Sequence, residues 1–367
     1  MSQFIVASIA FAVSFIVGLV IISTQRHHGM FTLDGDHGVQ KIHDAPTPRI
    51  GGIALLAGAV AAGFLLAPSA QSLWWTICLC AIPAFGSGVV EDITKRVGAK
   101  WRLVATILAG LIFCLATGYH LERSDIPGLD YLLTFPAFAI VLTAILIGGV
   151  ANALNIIDGV NGLASGTAII VLSGFSILAA QTGDGQIFAI CLVMIGAIAG
   201  FFVLNFPSGR LFFGDAGAYG TGFALAVLGI ALPLRNPELS PLIALLALSY
   251  PIIETAVSIY RRLRREGTHP GQADRLHLHS LIYRYRAKRL ADVLGRPNLR
   301  NPLTAVVLWS LTLVATAIMV LGAREPVVLL MGCALVLWIY LVLYRRVALL
   351  RPLREVVLAG RHLVRDE

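Results

Sequence analysis

The sequence predicts an all-α polytopic membrane protein, and three observations carry that expectation. Eleven uncharged stretches, each about 20 residues long, recur along the 367-residue chain. Hydrophobic residues make up 57% and charged ones 13%, far from the averages of a water-soluble domain. Finally, the basic residues crowd into alternate loops.

The spans read as 3–22, 50–67, 72–90, 103–119, 133–151, 163–180, 186–204, 217–234, 240–260, 302–322 and 325–343. At about 1.5 Å per residue, each can cross or nearly cross a hydrocarbon core of about 30 Å. Alternation then places loops 23–49, 91–102, 152–162, 205–216 and 261–301, with the C-terminal segment, on one side. Of the 28 Lys and Arg residues, only Arg123, Arg235 and Arg324 fall on the other. That asymmetry assigns the basic face and the C-terminus to the cytoplasm and the N-terminus to the outside. The first stretch is followed by basic residues rather than a small-residue cleavage site, so it reads as an uncleaved span. A net charge of +8 could suggest nucleic acid, but basic loops are what orientation and anionic headgroups require, so no nucleic-acid partner is expected. All five cysteines lie inside spans, and Cys78 and Cys80 point to different sides of a helix, which favours packing over metal binding. One membrane domain is expected over 1–345, with 346–367 as a basic cytoplasmic tail.

The basic-side loops hold nearly every polar cluster. Loop one carries His43-Asp44-Ala45-Pro46-Thr47-Pro48-Arg49-Ile50-Gly51-Gly52. The prolines enforce an extended entry and the glycines permit close backbone approach, in a site or merely in a stiff turn. Loop two opens with Glu91-Asp92 and continues through Lys95, Arg96, Lys100 and Arg102. These could be solvated charges; equally, acids followed by cations are what a phosphate reaction needs. Loop three reads Asn152-Ala-Leu-Asn155-Ile-Ile-Asp158-Gly159-Val-Asn161-Gly162. If helical, its spacing of three lines the amides and Asp158 along one face. In Phe212-Phe213-Gly214-Asp215-Ala216-Gly217, Asp215 opens a span, where it can cap a helix or hold a magnesium ion beside a diphosphate. Loop five holds Asp274-Arg275-Leu276-His277-Leu278-His279, which lacks the further ligands of a zinc finger and fits phosphate contacts better. Within the spans the charge deepest in sequence is Glu254, three residues after Pro251. It reads as a functional group in a bent helix or as the partner of a loop arginine.

In this order the motifs resemble the polyprenyl-phosphate N-acetylhexosamine-1-phosphate transferase family. The residues that carry the resemblance are P-T-P-R-I-G-G at 46–52, E-D at 91–92, N-A-L-N-I-I-D-G-V-N-G at 152–162, F-F-G-D-A-G at 212–217 and D-R-L-H-L-H at 274–279. The H-x-H form looks more like the branch that initiates O-antigen than the peptidoglycan translocase. The resemblance implies attack by undecaprenyl phosphate on the β-phosphorus of a UDP-N-acetylhexosamine, with release of UMP, at the cytoplasmic side of a bacterial inner membrane. It implies Mg2+, or Mn2+ in its place, on Asp215 with Asn155. Asp158 would lie near the nucleotide and metal, and Glu91 and Asp92 would orient or deprotonate the lipid phosphate. Lys100, Asn152, Asn155, Asn161, Arg275, His277 and His279 would bind substrate, and a homodimer is compatible with the pattern. Two departures stand out: the family usually has Asp-Asp at 91–92 and often an aspartate at 161. Glu91 keeps the charge on a longer arm, whereas Asn161 keeps only hydrogen bonding. A lipid-linked-sugar transporter is the rival class, but transporters place polar sites near the midplane in broken helices, and here the acids sit at span ends. An inactive family member is a second alternative.

Overall fold

The computed structural model describes residues 2–33, 47–264 and 276–349. Among them the chain is helical, with one isolated antiparallel bridge between Leu33 and Pro48. The helices are α1 (Gln3–Ser23), α2 (Gln25–Thr32), α3 (Gly51–Gly63), α4 (Pro68–Cys80), α5 (Ile82–Thr94), α6 (Ala99–Thr117), α7 (Leu129–Leu133), α8 (Pro136–Ile157), α9 (Leu163–Thr182) and α10 (Gly185–Asn205). There follow α11 (Gly214–Arg235), α12 (Leu242–Ala247), α13 (Ser249–Leu263), α14 (Leu278–Ile282), a π turn over Tyr283–Ala287, α15 (Lys288–Val293), α16 (Arg300–Leu321) and α17 (Pro326–Ala348).

This is a multi-pass membrane protein. Eight helices are long and apolar enough to cross a bilayer, namely α1, α6, α8, α9, α10, α11, α16 and α17. The α4–α5 pair adds a ninth if it is counted as one span, bent by 48° at Ala81. Eleven crossings were expected, and the difference lies in two stretches. Residues 50–67 give only the 13-residue α3. Residues 240–260 break at Leu248 into α12 and α13. Pro251 sits in the first turn of α13, where its missing N–H costs no helical bond, so the bend suggested by that proline is realised as a helix restart.

The bundle is built around α11. From Gly214 to Pro233 every residue except Gly220 is buried, and α3, α5, α8 and α9 all pack against it. By contrast α1, α6 and α17 expose most of their apolar surface at the periphery. Twenty-two residues at about 1.5 Å each make α11 roughly 33 Å long, so its ends define two faces of the molecule. At the Arg235 end the connecting loops tie to one another. Arg235 grips Asp184 through Nε (2.6 Å) and Nη2 (3.0 Å), Arg123 donates to the Leu239 carbonyl (2.9 Å), and the Ser240 N–H donates to the Ala323 carbonyl (2.8 Å). Asp184 also accepts the Ile187 N–H as the N-cap of α10. Burial opposes the charge on Asp184, but Arg235 and the cap bond prevail and hold its carboxyl below the usual range. The opposite end gathers the loops that carry the motifs.

Candidate active site

The N-terminus of α11 is assembled from three distant parts of the chain. The Phe212 N–H donates to the Pro48 carbonyl (2.8 Å), while the N–H groups of Gly51 and Gly52 donate to the carbonyls of Phe212 and Phe213 (2.9 Å each). Two motifs some 160 residues apart in sequence thus form one backbone unit. Gly214 has φ +74°, and a side chain there would overlap the Arg49 carbonyl and the Asp92 carboxylate. A methyl group at Gly52 or Gly88 would likewise strike the backbone of Ala216–Gly217. Hence α3 and α5 touch the first turn of α11 backbone to backbone.

Asp92 exploits that proximity. It is fully buried at the end of α5, and its Oδ1 and Oδ2 accept the N–H groups of Asp215 (2.9 Å) and Ala216 (3.0 Å). A carboxylate from one helix thereby caps the positive end of another. Arg49 Nε lies 3.4 Å from Asp92 Oδ1, and its Nη2 lies 3.7 Å from Asp215 Oδ1. Arg102 contacts Asp215 Oδ2 and lies over the Tyr219 ring, 5.9 Å from the centroid. Asn155 Nδ2 donates to Asp215 Oδ1 (3.0 Å), and Tyr219 Oη donates to Asn155 Oδ1 (3.3 Å). Asp215 therefore sits among two guanidinium groups and an amide, with its own N–H capped. Glu91 turns elsewhere, accepting the Val97 N–H (2.7 Å) to brace the turn in which Lys95 takes φ 55°. Lys100 is exposed in the first turn of α6.

The 152–162 segment departs from a continuous helix. α8 ends at Ile157, Asp158 follows as its C-cap with φ −77° and ψ 39°, and Gly162 at φ +74° reverses the chain. The three-residue face therefore stops short. Asn155 reaches Asp215, and Asn152 donates to Thr106 Oγ1 and the Gly148 carbonyl (2.8 Å each). Asn161 falls on a different surface: its side chain donates to the Pro207 carbonyl (3.2 Å) and its N–H to Asn301 Oδ1 (2.9 Å). The adjacent Gly162 N–H goes to Asn205 Oδ1 (2.5 Å). Asn161 is thus a buried strut between the turn, the loop at 206–209 and α16. Burial pushes the Asp158 carboxyl well above the usual carboxylate range; the negative charge of Asp92 adds to this and Arg49 opposes it.

Loop five completes the same end. His277 and His279 are buried with parallel rings, 5.3 Å apart and inclined by 5°. Glu254 does not pair with a loop arginine in any bond described here; its Oε1 accepts from His277 Nδ1 (2.9 Å) and from the Leu278 N–H (3.0 Å). His279 packs on Gly159, where an added methyl would lie 2.6 Å from Nε2. Arg275 lies outside the described residues. Arg102 stood among the loop-two cations read as phosphate contacts, whereas Arg49 and Tyr219 complete the arrangement although the motif spacing did not single them out as site residues. Arg49 stood inside P-T-P-R-I-G-G, and Tyr219 follows Asp215 by four residues, one helical turn away.

Residues 74–233 match the family model for glycosyl transferase family 4. That stretch is similar to the family over somewhat less than half of the chain. The matched stretch contains Asp92, Asn155, Asp158 and Asp215, while Arg49 and the histidines lie beyond it. Among relatives, a Bacillus subtilis protein named "Probable undecaprenyl-phosphate N-acetylglucosaminyl 1-phosphate transferase" is 29% identical over 257 residues, covering 70% of this chain and 71% of its own length. The undecaprenyl-phosphate alpha-N-acetylglucosaminyl 1-phosphate transferase of Yersinia pestis is 29% identical over 250 residues, 67% of this chain and 68% of its own. A phospho-N-acetylmuramoyl-pentapeptide-transferase of Streptococcus pneumoniae is 32% identical over 198 residues, 51% of this chain and 60% of its own.

Proposed function

We propose that this protein is a member of that glycosyl transferase family and moves an N-acetylhexosamine 1-phosphate from a UDP-sugar, UDP-GlcNAc or a 6-deoxy or epimeric relative, onto undecaprenyl phosphate. A lipid phosphate oxygen forms a bond to the β-phosphorus, the bond from that phosphorus to the bridging oxygen breaks, and UMP leaves with the electron pair. The observation that carries this reading is the convergence of Arg49, Arg102 and Asn155 on Asp215 at the capped start of α11. Phosphoryl transfer is governed by charge neutralisation and alignment, and two arginines beside a cation-attracting carboxylate supply both.

The donor set fits a hard divalent cation. Asp215 offers one carboxylate; Asn155 now turns its amide nitrogen to Asp215 and its oxygen to Tyr219, so that oxygen would join a cation after the amide turns over. Mg2+ characteristically takes one or two such ligands with water and substrate phosphates completing its shell. When bound there, Mg2+, or Mn2+ in its place, would neutralise charge on the diphosphate. Arg49 and Arg102 would hold phosphate oxygens from the opposite side, aided by Lys100 at the loop edge and by the histidines. Arg275 is assigned to phosphate as well, on its motif alone. Asp158, held toward its protonated form, would donate a hydrogen bond to the nucleotide or diphosphate. Asp92 has both oxygens engaged by backbone, so we assign it to positioning Asp215 and leave the lipid phosphate to Glu91. A phosphomonoester has its second pKa near 6, so at pH 7 the acceptor is largely ionised and a strong base is unnecessary.

We further infer eleven crossings, with α3 and the α12–α13 pair as the short ones, and a cytoplasmic site in a bacterial inner membrane. The gathering of motif loops at one end and the basic character of that end support the orientation. A role at the start of O-antigen or related envelope polysaccharide fits the H-x-H form at 277–279.

The test is to incubate purified protein in lipid nanodiscs with undecaprenyl phosphate, Mg2+ and a panel of UDP-N-acetylhexosamines. UMP and a lipid diphosphate sugar are expected, and excess UMP should reverse the reaction because one phosphoanhydride replaces another. Release of UDP would overturn the proposal, since it would mean transfer of the sugar alone.

A further inference from the structure

Glu254 is a carboxylate without solvent exposure on a helix whose other residues are mostly exposed or half-buried. An isolated carboxylate in such a place is costly, and it persists only where specific partners hold it. Besides Tyr340 of α17, its partners belong to the returning end of loop five. Oε1 takes the Nδ1 proton of His277 (2.9 Å), and Oε1 and Oε2 share the Leu278 N–H (3.0 and 3.2 Å), so the carboxylate fixes both the ring and the first turn of α14. Because a carboxylate can only accept, Nδ1 must carry its hydrogen, which leaves Nε2 as the nitrogen that meets any other group.

The consequence passes along the chain of contacts. His277 lies parallel to His279, and the ring of His279 fills the space above Gly159, immediately after Asp158. Asp158 in turn shares the electrostatic field of Asp92 and Arg49. A displacement of His277 would therefore be felt at the 158–162 turn, although Glu254 touches none of its residues in any bond described here.

We propose that Glu254 is a positioning residue for the donor side of the site: it sets the His277 tautomer and seats the stacked pair His277 and His279 on Gly159, so that the loop-three turn and loop five bind the nucleotide sugar as one surface. The proposal rests on the transferase reading for its choice of substrate. Its structural part, the coupling of Glu254 to the 158–162 turn, stands apart from that reading.

Glu254→Gln keeps the size and one acceptor oxygen but places an NH2 group against the Leu278 N–H. Purified in nanodiscs, it should raise KM for the UDP-sugar by about 10-fold while kcat changes by no more than about 3-fold, the pattern of lost binding rather than lost chemistry. Glu254→Asp keeps the charge on a shorter arm and should recover part of the loss. Amide hydrogen exchange should quicken at 276–282 and at 156–163 in Glu254→Gln and stay unchanged at 214–220. If Glu254→Gln does not yield monodisperse protein, Glu254→Asp carries the same comparison, with smaller effects in the same peptides. A wild-type KM together with unchanged exchange at 156–163 would overturn the proposal. Absence of transfer by the wild-type protein with every UDP-sugar would overturn the transferase reading instead, and the exchange data would still decide the coupling.

Discussion

The carboxylate of Asp92 and the backbone of Asp215 form a cap in trans: one helix ends on the residue that satisfies the first donors of another, at 2.9 and 3.0 Å. Uncapped, those donors would be buried without partners beside Arg49 and Arg102, which makes Asp92 an organiser of the site.

Glu91 and Asp92 should consequently respond unequally to substitution. Asp92→Asn keeps one acceptor and turns an NH2 group toward an N–H, so both thermal stability in detergent and activity should fall, the latter by about 100-fold as positioning is lost. Glu91→Gln should lose activity with little change in melting temperature, because its Val97 bond lies in a half-buried turn. Equal melting temperatures for the two variants would contradict the capping role.

Asp215→Asn leaves a side chain of the same shape beside Asn155 but removes the charge that we propose draws a cation. Turnover should drop by about 1000-fold, the scale of losing a principal electrostatic group, with only partial recovery at high magnesium. Size-exclusion behaviour and helicity by circular dichroism should match the parent. Full activity would reduce Asp215 to a helix-terminal residue.

For Asn161→Asp the structure points to stability. The new carboxylate cannot donate to the Pro207 carbonyl, so an acceptor would face an acceptor at about the same distance. A destabilisation of about 2 kcal/mol is expected, with the ranking of UDP-sugars unchanged. A changed ranking at unchanged stability would instead place Asn161 in the donor pocket, as the family comparison at that position suggested.

The Asp184 and Arg235 pair makes the opposite face sensitive to acid. Its carboxyl lies below the ordinary aspartate value, so the folded state binds fewer protons than the unfolded one across that interval. The stabilisation is therefore complete above a pH of about 5 and is lost as pH falls through the folded value. Asp184→Asn should be less stable than the parent by about 2 kcal/mol at pH 7, and the gap should narrow on acidification below the ordinary aspartate range. Parallel stability curves for the two proteins over that range would exclude the pair as the cause.

Much of this arrangement was legible in the sequence because membranes impose long periods and one-sided charge. The alternation of apolar stretches put the motif loops on one face, and in the structure the described ones meet at one end of α11. Asn155 and Asp215 were paired in advance by motif resemblance, and they touch. The sequence could not show that Pro48, Gly51 and Gly52 bond to residues 212–213, since such bonds depend on tertiary register. Adjacency of Glu91 and Asp92 implied different directions without saying which faced α11. The periodic reading of 152–162 ran too far because helix spacing carries no mark of where the helix stops, while Gly162, which permits the reversal, reads equally as a residue near a ligand. The glutamate in the ninth span announced a partner, but a histidine 23 residues later is chosen by folding and not by spacing.

The backbone contact of Gly52 and Gly88 with the start of α11 also bears on how such an enzyme can diversify. A methyl group at Gly52 or Gly88 would overlap the backbone of residues 215–217, so those two positions admit hydrogen alone. Under the proposed reaction, a change of sugar would have to come from positions outside that joint, such as the histidine loop that rests on Gly159.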